Sequence, residues 1–219
     1  MKKLQSLKIA VVLIFCTATT VAQNISFQLQ VGSEGSTNHS SMMFYSAKNK
    51  AAIQPVSGPL VGKQIIIDQS ASKQHVLMTN KGQQTAMLSK PFNAQNHMQT
   101  SDLLNVRSTG ETVVVDGITC EKLIVEGAKS QWVVCVTKDV AMDYLQFASL
   151  FNCTKGTPAP SPLVPLSNKI QGFPMRIEST DANGVTTSLS VSGINTKPVD
   201  AKNFSMAGYK VVDMTKPVR

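Results

Sequence analysis

The sequence predicts an α+β protein that is mainly antiparallel β, with one main helix over about 139–152 packed on a curved sheet or half-open barrel. Apolar and polar residues alternate with a period of two through most of the chain after Gln23, and turn sequences separate the alternating segments. One late segment instead places apolar residues at helical spacing. Many antiparallel strands with a single helix favour this architecture in one domain of ordinary size.

The alternation is clearest in the first strand, where Ile25, Phe27 and Leu29 alternate with polar residues. Turn signals that contain glycine follow at Asn80-Lys81-Gly82 and at Asp116-Gly117. On this basis we predict strands over residues 25–31, 41–46, 64–68, 75–79, 83–88, 111–116, 118–126, 131–137, 173–178 and 185–191.

The helix prediction rests on Val140, Tyr144, Phe147 and Phe151, which repeat at i, i+4, i+7 and i+11 and would form one apolar stripe. Asp139 is a residue type that caps helix N-termini. The proline-rich segment 153–165 cannot continue a helix, so the element is expected to end near residue 152.

The N-terminus predicts the compartment. Three lysines precede an apolar run over residues 9–16, and Thr20-Val21-Ala22 is a small-residue cleavage site. This is the pattern of a secretory signal peptide, and the apolar run is too short to span a bilayer. We therefore expect a signal peptide over 1–22, a single secreted domain over 23–219, and a periplasmic or alternatively extracellular location in a Gram-negative bacterium. Cleavage would lower the net charge from +8 to +5.

Composition and motifs argue against most chemistries. Hydrophobic residues make up 42% and charged residues 16% of the chain, which excludes a disordered protein, and the single Trp disfavours a surface that stacks bases or sugars. The three histidines, His39, His75 and His97, lie in no nucleophile or metal-binding pattern. We expect no catalytic residue, no metal, no cofactor and no nucleic-acid partner.

Two cysteines form a disulfide candidate. If residues 127–128 are the two-residue loop of a hairpin, Cys120 and Cys135 face each other across its strands at a separation compatible with a bridge. A one-residue change of register would abolish this pairing. Cys153 would remain unpaired.

The C-terminal half resembles a secreted bacterial family of domains of unknown function over about residues 111–214. The resemblance depends on four groups of residues: Asp116-Gly117-Ile118-Thr119-Cys120, Trp132-Val133-Val134, Gly172-Phe173-Pro174-Met175, and Phe204 before Gly208-Tyr209. At the level of fold that family is similar to the lipoprotein carriers of the LolA/LolB-like superfamily. The resemblance implies a half-open barrel with a helix over an apolar concavity that accepts acyl chains.

Flexible and aromatic side chains could line such a concavity. The candidate lining residues are Phe27, Leu29, Met42, Phe44, Met78, Met87, Trp132, Tyr144, Phe147, Phe173 and Met175. The same side chains could instead pack together as a closed core. The sequence therefore favours a non-catalytic periplasmic carrier or sensor of a lipid or lipoprotein. We expect this protein not to be transmembrane after signal cleavage. The alternative is a structural or interaction module of the cell envelope or secreted matrix with a protein partner there.

Overall fold

The computed structural model describes residues 24–33, 39–68, 70–71, 73–89, 104–127, 131–142, 144, 147, 169–180 and 184–214. These residues form twelve strands and one short 3-10 helix, Ala201–Phe204. The strands are β1 (Ile25–Ser33), β2 (Ser40–Ala47), β3 (Lys50–Pro55), β4 (Lys63–Asp68), β5 (Lys73–Asn80), β6 (Gln83–Ser89), β7 (Asn105–Val115), β8 (Ile118–Glu126), β9 (Gln131–Thr137), β10 (Phe173–Thr180), β11 (Thr186–Asn195) and β12 (Lys210–Asp213). The predicted signal peptide lies outside the described residues.

All twelve strands belong to one open sheet in the order β12-β6-β5-β4-β3-β2-β1-β11-β10-β9-β8-β7. Strands β1 to β6 and β7 to β11 each pair with their neighbours in the chain, and β1 pairs with β11 to join the two series. Every pairing is antiparallel except that of β12 with β6, which is parallel. The sheet therefore has β12 and β7 as its two edges.

One face of the sheet, which we call the core face, bears Ile25, Phe27 and Leu29 of β1, all fully buried. Phe27 stacks on Phe44 with ring centroids 4.6 Å apart and meets Phe173 edge-on at 5.3 Å. Phe147 completes this group at 5.5 Å from Phe173. Aromatic pairs in these geometries stabilise a core beyond the area that they bury, so this cluster is the centre of the fold.

The opposite face, which we call the back face, has a smaller apolar cluster made by Ala52, Ile66, Leu77 and Ala86. The C-terminal segment crosses this cluster and packs Phe204, Met206 and Tyr209 against it. The Gln64 side chain fixes the crossing by donating a hydrogen bond from Nε2 to the Asn203 carbonyl at 2.8 Å. Both faces of β4 are therefore covered by apolar contacts, which explains the three consecutive buried isoleucines in this strand.

The predicted α+β class, with a main helix over about 139–152, is wrong. Within the described residues the fold is almost entirely β and has no α-helix element packed on the sheet. Residues 139–141 are bends, and in the rest of the predicted helix only Met142, Tyr144 and Phe147 are described. The predicted element fails at its start, because the chain bends at residues 139–141 and Met142 has no regular structure. Tyr144 and Phe147 are helical and fully buried, as their spacing indicated, but they do not belong to a helix over the predicted range.

The predicted register of the two cysteines is also wrong. Strands β8 and β9 are joined by residues 127–130, and this longer loop places Lys122, not Cys120, opposite Cys135. Both cysteines are free thiols and both are buried. Cys153 lies outside the described residues.

Candidate functional site

The core face presents one continuous row of apolar side chains across seven strands. From β1 to β12 the paired residues are Phe27, Phe44, Ile53, Ile65, Val76, Met87 and Val212. Their burial decreases in order: Phe27 and Phe44 are fully buried, Val76 and Met87 are half-buried, and Val212 is 36% exposed. The core face is thus a closed interior at β1 and an accessible apolar surface at the β12 edge.

The turn between β5 and β6 fixes the accessible end of this row. Lys81 and Gly82 form a two-residue turn with φ of 47° and 80°, the left-handed conformation that a tight hairpin requires. This turn sets the register that places Val76 opposite Met87 on the core face. A slip of β6 by one residue would move Met87 to the back face, while Val76 would stay on the core face through its pairing with Ile65. The turn therefore determines which β6 residues line the surface.

The structure distributes the eleven predicted lining residues unevenly along the core face. Eight are buried in the main apolar cluster, namely Phe27, Leu29, Phe44, Trp132, Tyr144, Phe147, Phe173 and Met175. The other three are half-buried: Met42 packs against that cluster, and Met78 and Met87 lie on the strands next to β12. The accessible part of the candidate site therefore contains methionine, whose flexible side chain adapts to irregular apolar ligands.

Trp132, at the other end of the core face, has an unsatisfied polar group. Its side chain is 9% exposed, and its Nε1 donor has no hydrogen-bond acceptor among the residues that the structure describes. The indole lies so close to Gly127 that a Cβ added there would come within 3.1 Å of it. The indole thus packs as part of the main apolar cluster at this end of the core face.

Two buried ionisable groups on the sheet have shifted pKa values. His75 is buried on the back face, and burial together with the nearby Lys73 lowers its pKa despite the opposing effect of Asp68. Burial raises the pKa of the Cys120 thiol to about 11, away from the range of a reactive thiolate. Among the described residues no three of His, Cys, Asp and Glu are grouped so as to hold a metal ion. His97 lies outside the described residues.

Sequence analysis missed a second feature, a cleft of 490 Å³ at one end of the sheet. It lies where the β2–β3 turn, the start of β1, the β4–β5 turn and the C-terminal segment come together. Its lining residues are Asn24, Ala47, Lys48, Asn49, Lys50, Ser70, Val199, Ala201 and Phe204. The Lys48-Asn49-Lys50 turn was its signal in the sequence, but the C-terminal side could be found only from the fold.

Comparison with protein families decides the relationship of the chain. A family model described as a domain of unknown function, DUF4412, matches residues 26–209. The chain belongs to this family. The predicted resemblance to a family of domains of unknown function is therefore confirmed. A comparison with curated proteins finds no match.

Solved structures show which folds this DUF4412 protein resembles. The structure of MucB in complex with MucA(peri) is 12% identical, with 87% of this chain and 57% of that chain covered and a TM-score of 0.50. PNGF-II is also 12% identical over 88% of this chain and 31% of that chain, with a TM-score of 0.46. A LolA superfamily protein from Nitrosomonas europaea is 12% identical over 84% of this chain and 91% of that chain, with a TM-score of 0.34.

These values establish a shared fold with MucB, and the likeness to a LolA superfamily protein is found at a lower score. The chain spans about a third of PNGF-II and just over half of MucB, so it corresponds to part of each. In the part of the chain that the structure describes, no helix is long and apolar enough to cross a membrane.

Proposed function

We propose that this DUF4412 protein is a non-catalytic periplasmic binding protein that holds an apolar ligand, a lipid or the acyl chain of a lipoprotein, as a carrier or sensor. The supporting observation is the apolar row of the core face, which continues without a polar interruption from the buried Phe27 to the exposed Val212. Binding of a hydrocarbon chain to such a surface is favourable because apolar area on both partners is removed from water. It needs no catalytic group.

The proposed ligand lies over Val76, Met78, Met87 and Val212, where the row is accessible. Burial of an acyl chain contributes about 0.8 kcal/mol per CH₂, so about ten methylenes would give about 8 kcal/mol before the cost of ordering the chain. The buried residues from Phe27 to Ile65 act in this proposal as the rigid support of the surface, because they pack against each other.

The proposed compartment rests on the sequence of the leader. Removal of residues 1–22 would leave a mature chain of residues 23–219 in the periplasm. MucB, which shares the fold, was crystallised in complex with MucA(peri). A lipoprotein or another envelope protein is the corresponding partner proposed for this chain.

The first experiment tests for ligand. Purified protein would be examined by native mass spectrometry, extracted with organic solvent, and titrated with a fluorescent fatty acid. We expect co-purifying lipid or saturable uptake of the fatty acid. If neither is found, the carrier proposal fails, and a stable protein partner recovered from the envelope would support the interaction module instead.

Two neighbouring valines provide a matched test of where the ligand binds. Val212 pairs with Met87 on the core face, whereas Val211 pairs with Ala86 on the back face, and both lie on the same exposed edge strand. We expect Val212→Asp to weaken fatty-acid binding about ten-fold, about 1.4 kcal/mol, because it places a charge against hydrocarbon. Val211→Asp should leave binding unchanged. Equal effects of the two variants would exclude the core face as the ligand site.

A further inference from the structure

The cleft at the end of the sheet is separate from the apolar row, and its polar side is basic. Lys48 lies in the β2–β3 turn with φ of 52°, and Lys50 begins β3. Both residues line the cleft together with Asn24 and Asn49, a residue type whose side-chain amide carries N–H donors. The sequence thus brings four residues able to donate hydrogen bonds to one side of a cavity.

Neither lysine of this cleft belongs to any of the ion pairs in the part of the chain that the structure describes. The nearest acid in the sheet is Asp68, which is the cross-strand partner of Lys50. Its Oδ1 already accepts hydrogen bonds from Ser70 Oγ at 2.6 Å and from the Ala71 N–H at 2.9 Å. Asp68 thereby holds the β4–β5 turn, and it offsets part of the Lys50 charge, because the nearby lysine contributes to the lowered pKa of Asp68. Neither ammonium group forms an ion pair with a described carboxylate, so both remain open to an added anion.

The other side of the cleft is apolar and firmly held. Val199, Ala201 and Phe204 of the C-terminal segment line it. Phe204 also packs against the back-face cluster, and the hydrogen bond from Gln64 to the neighbouring Asn203 anchors the segment. A wall fixed in this way does not need to be ordered when a ligand binds, which lowers the cost of binding.

We propose that this cleft binds a small organic anion that has an apolar body, with Lys48 and Lys50 at the negative group and Val199 and Phe204 at the body. A volume of 490 Å³ is within the range of cavities that hold small molecules. This site goes beyond the proposed apolar carrier function, since it lies at the β2–β3 turn and not at the β12 edge, on the other face of the sheet, and recognises charge.

Two fluorescent probes separate the two sites. 1-Anilinonaphthalene-8-sulfonate has the aromatic body of N-phenyl-1-naphthylamine with an added sulfonate. We expect the sulfonate probe to bind the purified protein saturably at one site, and its affinity to fall as NaCl rises from 50 to 500 mM because salt screens the lysines. Binding of the neutral probe, at the core face or elsewhere, should be insensitive to salt.

The chain supplies a matched control for each lysine. Lys81 occupies the same left-handed turn position as Lys48, with φ of 47°, and Lys73 faces Asp68 from the strand opposite Lys50. We expect Lys48→Met and Lys50→Met each to lower the affinity for the sulfonate probe about five-fold. Lys81→Met and Lys73→Met should leave this affinity unchanged. Ala201→Trp should abolish its binding by filling the cleft.

The outcomes distinguish the proposals. If binding of the sulfonate probe depends on Lys48 and Lys50 while the neutral probe does not bind, the anion site stands and the apolar carrier function fails. Fatty-acid binding that is lost in Lys48→Met and Lys50→Met but unchanged in Val212→Asp would likewise assign the fatty acid to the cleft and not to the core face. If the neutral probe binds, but the affinity for the sulfonate probe is the same in the unchanged protein, the two lysine variants and Ala201→Trp, the anion site is excluded. Equal loss in the Lys81 and Lys73 controls would also exclude it, because the effect would then be one of net charge.

Discussion

Gly172 shows how one residue without a side chain permits the start of a strand. Its φ is 98°, and a Cβ at this position would lie 2.7 Å from the Thr137 carbonyl oxygen of β9. Real Cβ atoms do not approach a backbone oxygen this closely. The chain can therefore enter β10 beside β9 only because residue 172 is glycine.

A pair of alanine substitutions separates strain from steric overlap. Gly62 has φ of 84° but open space where its Cβ would be. We expect Gly62→Ala to lower the free energy of unfolding by about 1 kcal/mol through backbone strain. Gly172→Ala should lower it by about 3 kcal/mol because overlap with Thr137 is added. Urea unfolding of both variants measures the difference, and similar losses would show that β9 moves aside.

Cys120 gives a prediction about pH. Burial raises the pKa of its thiol from 9.0 to about 11, so the neutral thiol favours the folded state. This stabilisation is present below pH 9 and is lost as pH rises toward 11, where the folded thiol ionises. At pH 8 we expect iodoacetamide to alkylate Cys120 at least about 100-fold more slowly in the folded protein than in urea. The alkylation rate can be measured by mass spectrometry of the peptide that contains Cys120. Equal rates would show that the thiol is exposed.

Among the elements, the β7–β8 hairpin depends on a contact outside its own strands. Asp116 at its tip accepts a hydrogen bond from the Gly193 N–H of β11 at 2.7 Å through Oδ2. The same residue has φ of 49°, a conformation that Asn and Gly also adopt readily. One side chain therefore both shapes the turn and ties the edge hairpin to the middle of the sheet.

This double role can be tested at one position. Asp116→Gly keeps the turn conformation and removes the acceptor, so we expect it to lower the free energy of unfolding by about 1 kcal/mol. Asp116→Asn retains an acceptor oxygen, so its free energy of unfolding should be close to that of the unchanged protein. Thermal unfolding of both variants gives the comparison, and a loss that is the same for both would assign the effect to charge.

The elements that the sequence predicted best are those whose turns are local. The Asn80-Lys81-Gly82 and Asp116-Gly117 signals led to the β5–β6 and β7–β8 hairpins because each turn needs left-handed residues that few side chains tolerate. Strand β3 was missed, since Ala51, Ala52 and Ile53 are all buried and show no alternation. Strand β12 was missed because it has four residues and pairs with a strand more than a hundred residues earlier.

The candidate site was predictable only in part, for the same reason. Alternation places Phe27, Met42 and Met87 on one face of their strands, and the register of the sheet then unites these faces. Which of those residues are covered depends on strand order, and the sequence contains no local signal for an edge at β12. The basic cleft depends even more on long-range structure, because it joins residues 24, 47–50, 70 and 199–204.

For the whole molecule, the main apolar cluster predicts cooperative unfolding. The cluster contains buried residues of β1 to β4 together with residues of β8 to β11, so neither half of the sheet has a separate interior. We expect one urea transition, with the same midpoint by Trp132 fluorescence, which reports on β9, and by far-ultraviolet circular dichroism, which reports on all strands. Midpoints that differ would show that the two series of strands unfold independently.

The pairing of β1 with β11 has a consequence for how the molecule is assembled during biosynthesis. The two strands are far apart in the chain, since the paired residues Ser33 and Thr187 are separated by 154 positions. Their side-chain hydroxyls are 3.2 Å apart across this pairing, which we call the seam. Each meander can form from neighbouring hairpins as it is synthesised, but the seam requires residues 186–195, and such distant pairings form slowly. Strand β1 must therefore wait for β11, so its second edge stays unpaired until residues 186–195 are present.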